Sequence, residues 1–467
     1  MRGLDFFRFD AATGTPLAHS TDSVIVVGAG LAGAEAAWQL ADAGLRVTLF
    51  EMRPARTTPA HRTAQAAELV CSNSLGSRLP DRAAGVLQAE MRALGSRLLA
   101  VAERHAVPAG SALAVDRDRF AADVTAALAS HPNVDFRREE VLAVPDATPC
   151  VIASGPLTSE ALAADLQRLT GEEHLAFFDA IAPVVTGDSL DREMIFAAAR
   201  WDLGGPDYLN LPLSKEEYER FVDALLAAPA HPLKEFEAAD PRAPRFFERC
   251  LPVEVLAARG RDALRFGPLR PVGLRNPRTG HRPWAVVQLR REDAGGRLWN
   301  LVGFQTNVRH GDQERLLRTL PGMQRADFVR LGSMHRNTFL NAPRLLTAGL
   351  EFRARPGLFF AGQITGMEGY LGNVASGLLA AHGVLRRLAG EDPVALPRTT
   401  LLGALAHHIA ESPSTSFQPM KAEFGLLPPC AGLPRGADRA AAHAARSAAD
   451  LAEFQAARPL PLAAAAR

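Results

Sequence analysis

Val24-Ile25-Val26-Val27-Gly28-Ala29-Gly30-Leu31-Ala32-Gly33 stands near the start of the chain. After a helical run to Leu40 and a break at Gly44, Val47-Thr48-Leu49-Phe50 follows and ends at Glu51. Two short apolar runs rich in β-branched residues read as strands buried on both faces of a parallel sheet. Between them, G-x-G-x-x-G occupies the turn from strand into helix. Gly28 lets the chain turn tightly, Gly30 lets backbone approach a pyrophosphate, and Gly33 lets helix and strand pack closely. The turn residue Ala29 and the first helical residues Leu31 and Ala32 offer free N–H groups at the positive end of the helix dipole. Glu51, about 20 residues further on, is placed to bond ribose hydroxyls. Glycines recur in turns for backbone reasons alone, but strand, helix and terminal acid together specify a dinucleotide site. The motif does not separate FAD from NAD; its place near the start of the chain favours the tightly held FAD.

Composition bounds the remainder. A chain of 467 residues with 47% hydrophobic and 22% charged residues is expected to form two or three soluble, globular domains. The net charge is +1, so a polyanionic partner must be held by a local patch. Almost all the basic residues are arginine, lysine occurring only at Lys215, Lys234 and Lys421. Cys71, Cys150, Cys250 and Cys430 are widely spaced with no C-x-x-C. A disulfide framework or a metal site is therefore not expected, and a reducing, cytoplasmic setting is. Met1 to Ser20 lacks the apolar core of a signal peptide, and no run of about 18 apolar residues suggests a membrane span.

In chain order, residues 1–22 read as an N-terminal extension. Glu51 is followed by Met52-Arg53-Pro54 and a polar stretch suited to wrapping a cofactor. Ala67-Glu68-Leu69-Val70-Cys71-Ser72-Asn73-Ser74 sets a cysteine among small polar residues, with one helix expected from Ala83 to Ala102. Cys71 also reads simply as a small buried residue. A helix from Arg119 to Ala129 and strands at Val141–Val144 and Cys150–Ala153 complete residues 23–170. The middle of the chain, 171–341, has a different texture and reads as an inserted α+β domain. It contains a hairpin of Trp284–Leu289 and Leu298–Phe304 around Glu292–Arg297. It also holds Arg249-Cys250-Leu251-Pro252, after which Arg259, Arg261, Arg265, Arg270 and Arg282 crowd together. A thiol beside an arginine-rich surface suits chemistry on a phosphate-bearing polymer; the same arginines also read as a solvated surface.

Residues 342–430 return to the first texture. Leu358-Phe359-Phe360-Ala361-Gly362-Gln363 is a buried strand ending in glycine, and Gly366, Glu368 and Gly369 follow before a helix from Val374 to Leu388. A second glycine-rich turn of this kind points N–H groups at an anion or a flavin ring. A peripheral helix is expected after Leu401, and a helical, partly mobile tail over 431–467.

Several blocks together carry a family resemblance: Val27-Gly28-Ala29-Gly30-Leu31-Ala32-Gly33, Glu51-Met52-Arg53-Pro54, Glu68-Leu69-Val70-Cys71-Ser72-Asn73-Ser74, Ala114-Val115-Asp116-Arg117, Arg265-Phe266-Gly267-Pro268-Leu269, Met334-His335-Arg336-Asn337 and Phe360-Ala361-Gly362-Gln363. Across residues 24–430 the chain resembles the folate- and FAD-dependent tRNA uracil-5-methyltransferases. The resemblance implies an α/β fold: a doubly wound, glutathione-reductase-like FAD-binding Rossmann domain with an inserted α+β substrate domain. It implies methylation of uridine 54 in the tRNA T-loop, with carbon from 5,10-methylenetetrahydrofolate and electrons from NADH or NADPH through FAD. The related large subunit of the wobble-uridine modification enzyme shares the fold but is longer.

By matched position, Cys250 corresponds to the family's nucleophile and Cys71 to a second cysteine near the flavin; Cys250 is favoured as the residue that attacks the base. His335, Arg336 and Asn337 are the folate candidates. The five arginines from Arg259 to Arg282 are the tRNA candidates. The chain departs from the family at Arg249, Leu211 and Leu371-Gly372-Asn373. The chemistry suits the residues, because a thiolate adding to uracil carbon 6 makes carbon 5 nucleophilic, and a base must then take the carbon 5 proton. A generic small-molecule flavoprotein oxidoreductase and a non-catalytic flavin- and tRNA-binding protein are the alternatives.

Overall fold

Val24, Val26, Val47, Leu49, Val151 and Ile152 are all fully buried, which places their strands in the interior of a sheet covered on both faces. That sheet has five parallel strands in the order Leu358–Phe360, Cys150–Ile152, Ser23–Val27, Arg46–Phe50 and Val134–Arg137. The computed structural model describes residues 23–58, 60–171, 175–203, 205–230, 251–293, 295–393, 395–414, 417–430 and 437–458, plus the short antiparallel pair Arg8–Phe9 and Pro16–Leu17. Only the backbone is described for that pair and for 175–181, 333–338 and 437–438. Cys250, Arg249 and most of the 1–22 extension lie outside the described residues.

The first and last parts of the chain share one apolar core. It includes the sheet, the glycine-turn helix Leu31–Asp42 and the helix Tyr370–Leu388. A second core lies within residues 185–326. It is built on a six-stranded antiparallel sheet in the order Phe196–Ala197, Tyr208–Leu213, Ala285–Arg291, Leu298–Leu301, Val184–Thr186 and Phe328–Arg330. The chain enters and leaves this region on one antiparallel ribbon, Leu175–Ile181 against Ser333–Phe339. Among the described residues, no helix is long and apolar enough to cross a membrane.

The structure corrects three local expectations. Residues 141–144 form no strand: the Val144 N–H donates to the Asp165 carboxylate at 2.6 Å instead of to a ladder, and Val134–Arg137 is the edge strand. The helix expected from Ala83 to Ala102 is two, Ala83–Ala93 and Arg97–Arg104. Gly95 at φ +78° ends the first, and Ser96 caps the second. The helix Leu401–Glu411 is not peripheral. Leu401, Leu402, Leu405, Ala406 and Ile409 are buried, and the Glu90 carboxylate accepts its first two N–H groups at 2.6 and 2.8 Å. The tail is helical as expected, over Ala437–Ala457; Leu451 is buried in the main core, and the Ser447 hydroxyl donates to the same Glu90.

Candidate active site

The first glycine turn is built by backbone contacts. Gly28 has φ +97°, and a Cβ there would sit 2.5 Å from the Ala153 carbonyl oxygen. A Cβ on Gly33 would fall 1.8 Å from the Gly28 carbonyl oxygen, so these two glycines bring the helix onto the sheet. Gly30 differs. Its backbone is extended, at φ −69° and ψ −170°, and a Cβ there meets no heavy atom within 4 Å. No contact among the described residues requires glycine at position 30; the free space opens into a cleft.

Gly28, Gly30, Leu31, Ala32, Glu51 and Arg53 line the cleft from one end of the chain, and Gly362, Gln363, Tyr370 and Asn373 from the other. The two glycine turns meet because the helices behind them touch backbone to backbone. A Cβ on Gly377 would lie 2.1 Å from the Ala32 carbonyl oxygen.

Glu51 is buried and bound on both oxygens. It accepts the Ala29 N–H at 3.1 Å, the Arg53 N–H at 3.1 Å and Arg53 Nε at 2.8 Å. Burial raises its carboxyl, but the Arg53 guanidinium and the two N–H donors outweigh that and hold it below the usual carboxylate range. The result is an anionic acceptor at the cleft wall. Arg53, itself buried, also donates to Glu68 at 3.0 Å and so staples the loop after the second strand. An open Cβ position beside a helix N-terminus, with an anionic acceptor at the end of the next strand, fits a dinucleotide.

Other expected cofactor residues are placed elsewhere. Ala29 acts through its N–H on Glu51. Gly366 gives way to the Phe417 ring, Gly369 lies against the Lys421 side chain, and Glu368 accepts from Gln363 Nε2 at 2.9 Å; none of these three lines the cleft. Thr58 and His61, on the polar stretch expected to wrap a cofactor, line the cleft, as does the Ser154–Ser159 loop; Val141 is a lining residue that the sequence reading did not place there. The strand Cys150–Ile152, running into Ser154-Gly155, is the signal that places this loop at the cofactor edge.

Cys71 lies at the cleft's edge, next to the lining residue Val70. Its loop is held from three directions. Tyr370 Oη accepts the Cys71 N–H at 2.7 Å and the Ser72 N–H at 3.0 Å. Arg117 Nη1 donates to the Leu69 carbonyl at 2.8 Å. Arg330, from the second core's sheet, donates to the Val70 carbonyl at 2.9 Å and the Cys71 carbonyl at 3.3 Å. Both guanidinium groups are close enough to act electrostatically on the Cys71 thiol. Burial, then the charge of Arg117, pushes Arg330 down to about 10, whereas the Glu292 carboxylate raises Arg117 against the effect of burial. Burial, then the nearby thiol, raises Tyr370. Arg117 stood out in the sequence only as part of the block Ala114–Arg117 and without a role, and Arg330 and Glu292 were given none, since nothing local marks partners so far apart along the chain.

Of the remaining candidates, His335, Arg336 and Asn337 lie on the ribbon strand opposite Asp179, Phe178 and Phe177, and only their backbone is described. The arginine set divides. Arg261 pairs with Asp223 at 2.7 Å, and Arg265 stacks on Trp284 at 4.0 Å from its centroid and donates to its carbonyl. Arg265 is engaged in packing and Arg261 in a surface ion pair; Arg259, Arg261, Arg270 and Arg282 are all exposed. Cys150 is buried in the sheet, and burial pushes its thiol up to about 12, so it takes no part in the site. No group of residues that could hold a metal ion occurs among the described residues.

A cleft closed by two glycine turns under converging helices defines the class: a protein of the doubly wound dinucleotide-binding type. The comparisons place the chain within it. The family model described as glucose inhibited division protein A matches residues 23–392. A methylenetetrahydrofolate–tRNA-(uracil-5-)-methyltransferase TrmFO of Thermosynechococcus vestitus is 56% identical over 94% of this chain and 96% of its own. That of Desulfitobacterium hafniense is 53% identical over 94% and 99%. The chain belongs to the TrmFO family. Among solved structures, Aquifex aeolicus GidA superposes with a TM-score of 0.69 at 16% identity, over 94% of this chain and 76% of that one, which supports the shared α/β Rossmann-like fold.

Proposed function

We propose that this protein methylates carbon 5 of uracil in tRNA, taking the carbon from 5,10-methylenetetrahydrofolate with FAD in the cleft. The observation that carries this reading is the 56% identity to a TrmFO across nearly the whole of both chains. The finer reading adds uridine 54 of the T-loop as the target and NADH or NADPH as the reductant.

When bound, FAD supplies the electrons and relays the one-carbon unit from folate to base. The chain's own residues do the rest. The N–H groups at the start of the helix Leu31–Asp42 receive the pyrophosphate, and Glu51 accepts from ribose hydroxyls. Cys250 is assigned the attack: its thiolate adds to carbon 6 and leaves carbon 5 as the nucleophile. Cys71, on a loop fixed by Tyr370, Arg117 and Arg330, is assigned the carbon 5 proton, the two arginine charges favouring its thiolate. Loss of that proton and departure of the Cys250 sulfur restore the aromatic ring.

The test is tritium release from tRNA labelled at uracil carbon 5, with and without methylenetetrahydrofolate. Folate-dependent release by the wild type is expected. Cys250→Ala should lose both release and any covalent RNA–protein adduct, and Cys71→Ala should lose release but keep the adduct. Wild-type protein with reducible FAD and no release would sink the reading.

A further inference from the structure

The chain has four tryptophans, and Trp201 alone is mostly exposed, at 63%. It stands in an unusual backbone. Trp201 and the next residue, Asp202, have φ values of +60° and +53°, a region that residues with side chains seldom occupy. Consecutive left-handed residues persist only where the surroundings over-determine them. Here the Trp201 N–H donates to the Gly273 carbonyl at 2.9 Å. Arg200 donates to Gln288 Oε1 at 2.8 Å and to the Val272 carbonyl at 2.6 Å. A Cβ on Gly273 would lie 2.9–3.0 Å from three atoms of the indole, so glycine at that position gives the ring its seat. The turn is also fastened to the first core's side of the molecule. Asp207 accepts the Gly110 N–H at 2.7 Å, and Tyr208 Oη donates to the Ala109 carbonyl at 3.1 Å. One part of the indole rests on Gly273, and the remainder is held out to solvent.

The setting is cationic. Arg270 and Arg275 are exposed on the same segment as Gly273, and no described carboxylate lies within ion-pair distance of either. Burial, then the charge of Arg270, pushes Arg200 down to about 10, which puts Arg270 near the base of the turn. Phe266, at the start of the segment, is 74% exposed. An exposed aromatic face among unpaired guanidinium groups matches an RNA with an unstacked base beside its phosphates. A protein contact of this kind is expected to bury the aromatic in a charge-depleted centre, which this surface lacks.

We propose that Trp201, with Arg270 exposed on the segment that seats it, is a stacking platform for a tRNA base other than the uridine that reacts. This rests on the tRNA reading above and adds a contact residue to it. The strained turn holds the indole in place before RNA arrives, so little ordering remains to be done on binding.

The test uses the full-length, FAD-loaded protein and measures direct tRNA binding over a range of salt, together with the kinetics of 5-methyluridine formation. Trp201→Ala should weaken tRNA binding about ten- to hundred-fold, the range of one base–aromatic stack. The loss should fall on KM for tRNA rather than on kcat, with the salt dependence kept. Trp201→Phe should recover most of the affinity. Arg270→Ala should instead reduce the salt slope by about one phosphate contact. Unchanged tRNA affinity in Trp201→Ala overturns the platform, as does a change in self-association with affinity intact, which would make the patch a protein contact. A wild type that binds tRNA through Trp201 and forms no 5-methyluridine would leave the platform standing and remove the methyltransferase reading.

Discussion

A side chain added at Gly30 projects into the cleft, and one added at Gly33 collides with backbone. Two glycines of one motif therefore answer to different constraints, and substitution separates them. Gly30→Val should leave the melting behaviour of the apoprotein nearly unchanged, within about 0.5 kcal/mol, and yield colourless protein because the new methyls occupy cofactor space. Gly33→Ala should lower stability by roughly 1–3 kcal/mol, because helix and sheet must part to admit a single carbon. Flavin absorbance and thermal melts of both apoproteins check the pair; equal destabilisation would mean that Gly30 also serves packing. At this scale the sequence was most legible where backbone geometry imposes the residue, as at Gly28, or where spacing imposes it, as at Glu51. It was least legible where a side chain meets a distant partner. Arg53 finds Glu68, and Arg330 finds the Cys71 loop, across loops that leave no periodic trace.

The helix Tyr370–Leu388 shows the same division within one element. Its small residues were visible in the sequence, and Gly377 explains them by letting the helix touch Ala32. Its start was not visible: Gly369, at φ +82°, turns the chain so that the helix begins four residues before the expected Val374 and delivers Tyr370 to the Cys71 loop. Deeper in the helix, His382 is buried with neither ring nitrogen hydrogen-bonded. Burial, then the Arg386 charge, lowers its pKa from 6.5 to about 3. Below pH 6.5 the unfolded chain takes up a proton that the folded chain refuses. This residue therefore costs nothing above pH 6.5 and destabilises the fold progressively as pH falls towards 3. Between pH 7 and pH 5 the loss is about 2 kcal/mol. Denaturant titrations at both pH values should show that His382→Leu removes about that much of the acid sensitivity. An unchanged pH dependence would mean that the imidazole can accept a proton in the folded state.

Across the whole molecule, two apolar cores are joined by the ribbon and by a polar seam beside Cys71. The change of texture in the middle of the chain falls near where the second core begins, but the seam was not legible, because each of its pairs unites residues more than 170 positions apart. Glu292 illustrates this. In the sequence it belongs to a hairpin turn, whereas in the structure it is 5% exposed and pairs with Arg117 at 2.5 Å across the seam. Beside it, Asn73 donates to the Arg291 carbonyl at 2.9 Å and accepts Arg290 Nε at 3.0 Å. Removing one partner of a buried ion pair leaves the other charge uncompensated, at a cost of about 3–5 kcal/mol, whereas replacing both with apolar groups is often neutral. Glu292→Ala strands Arg117 next to Arg330, two cations in one partly dry seam, so the cores should separate more readily there than elsewhere. The expected result is a lower melting temperature and faster limited proteolysis in the single variant, with much of both recovered in Glu292→Leu combined with Arg117→Met. The double variant should still fail to methylate, since the Leu69 carbonyl has lost its donor and the Cys71 loop one of its three anchors. A single variant as stable and protease-resistant as the wild type would show that the ribbon alone holds the two cores in register.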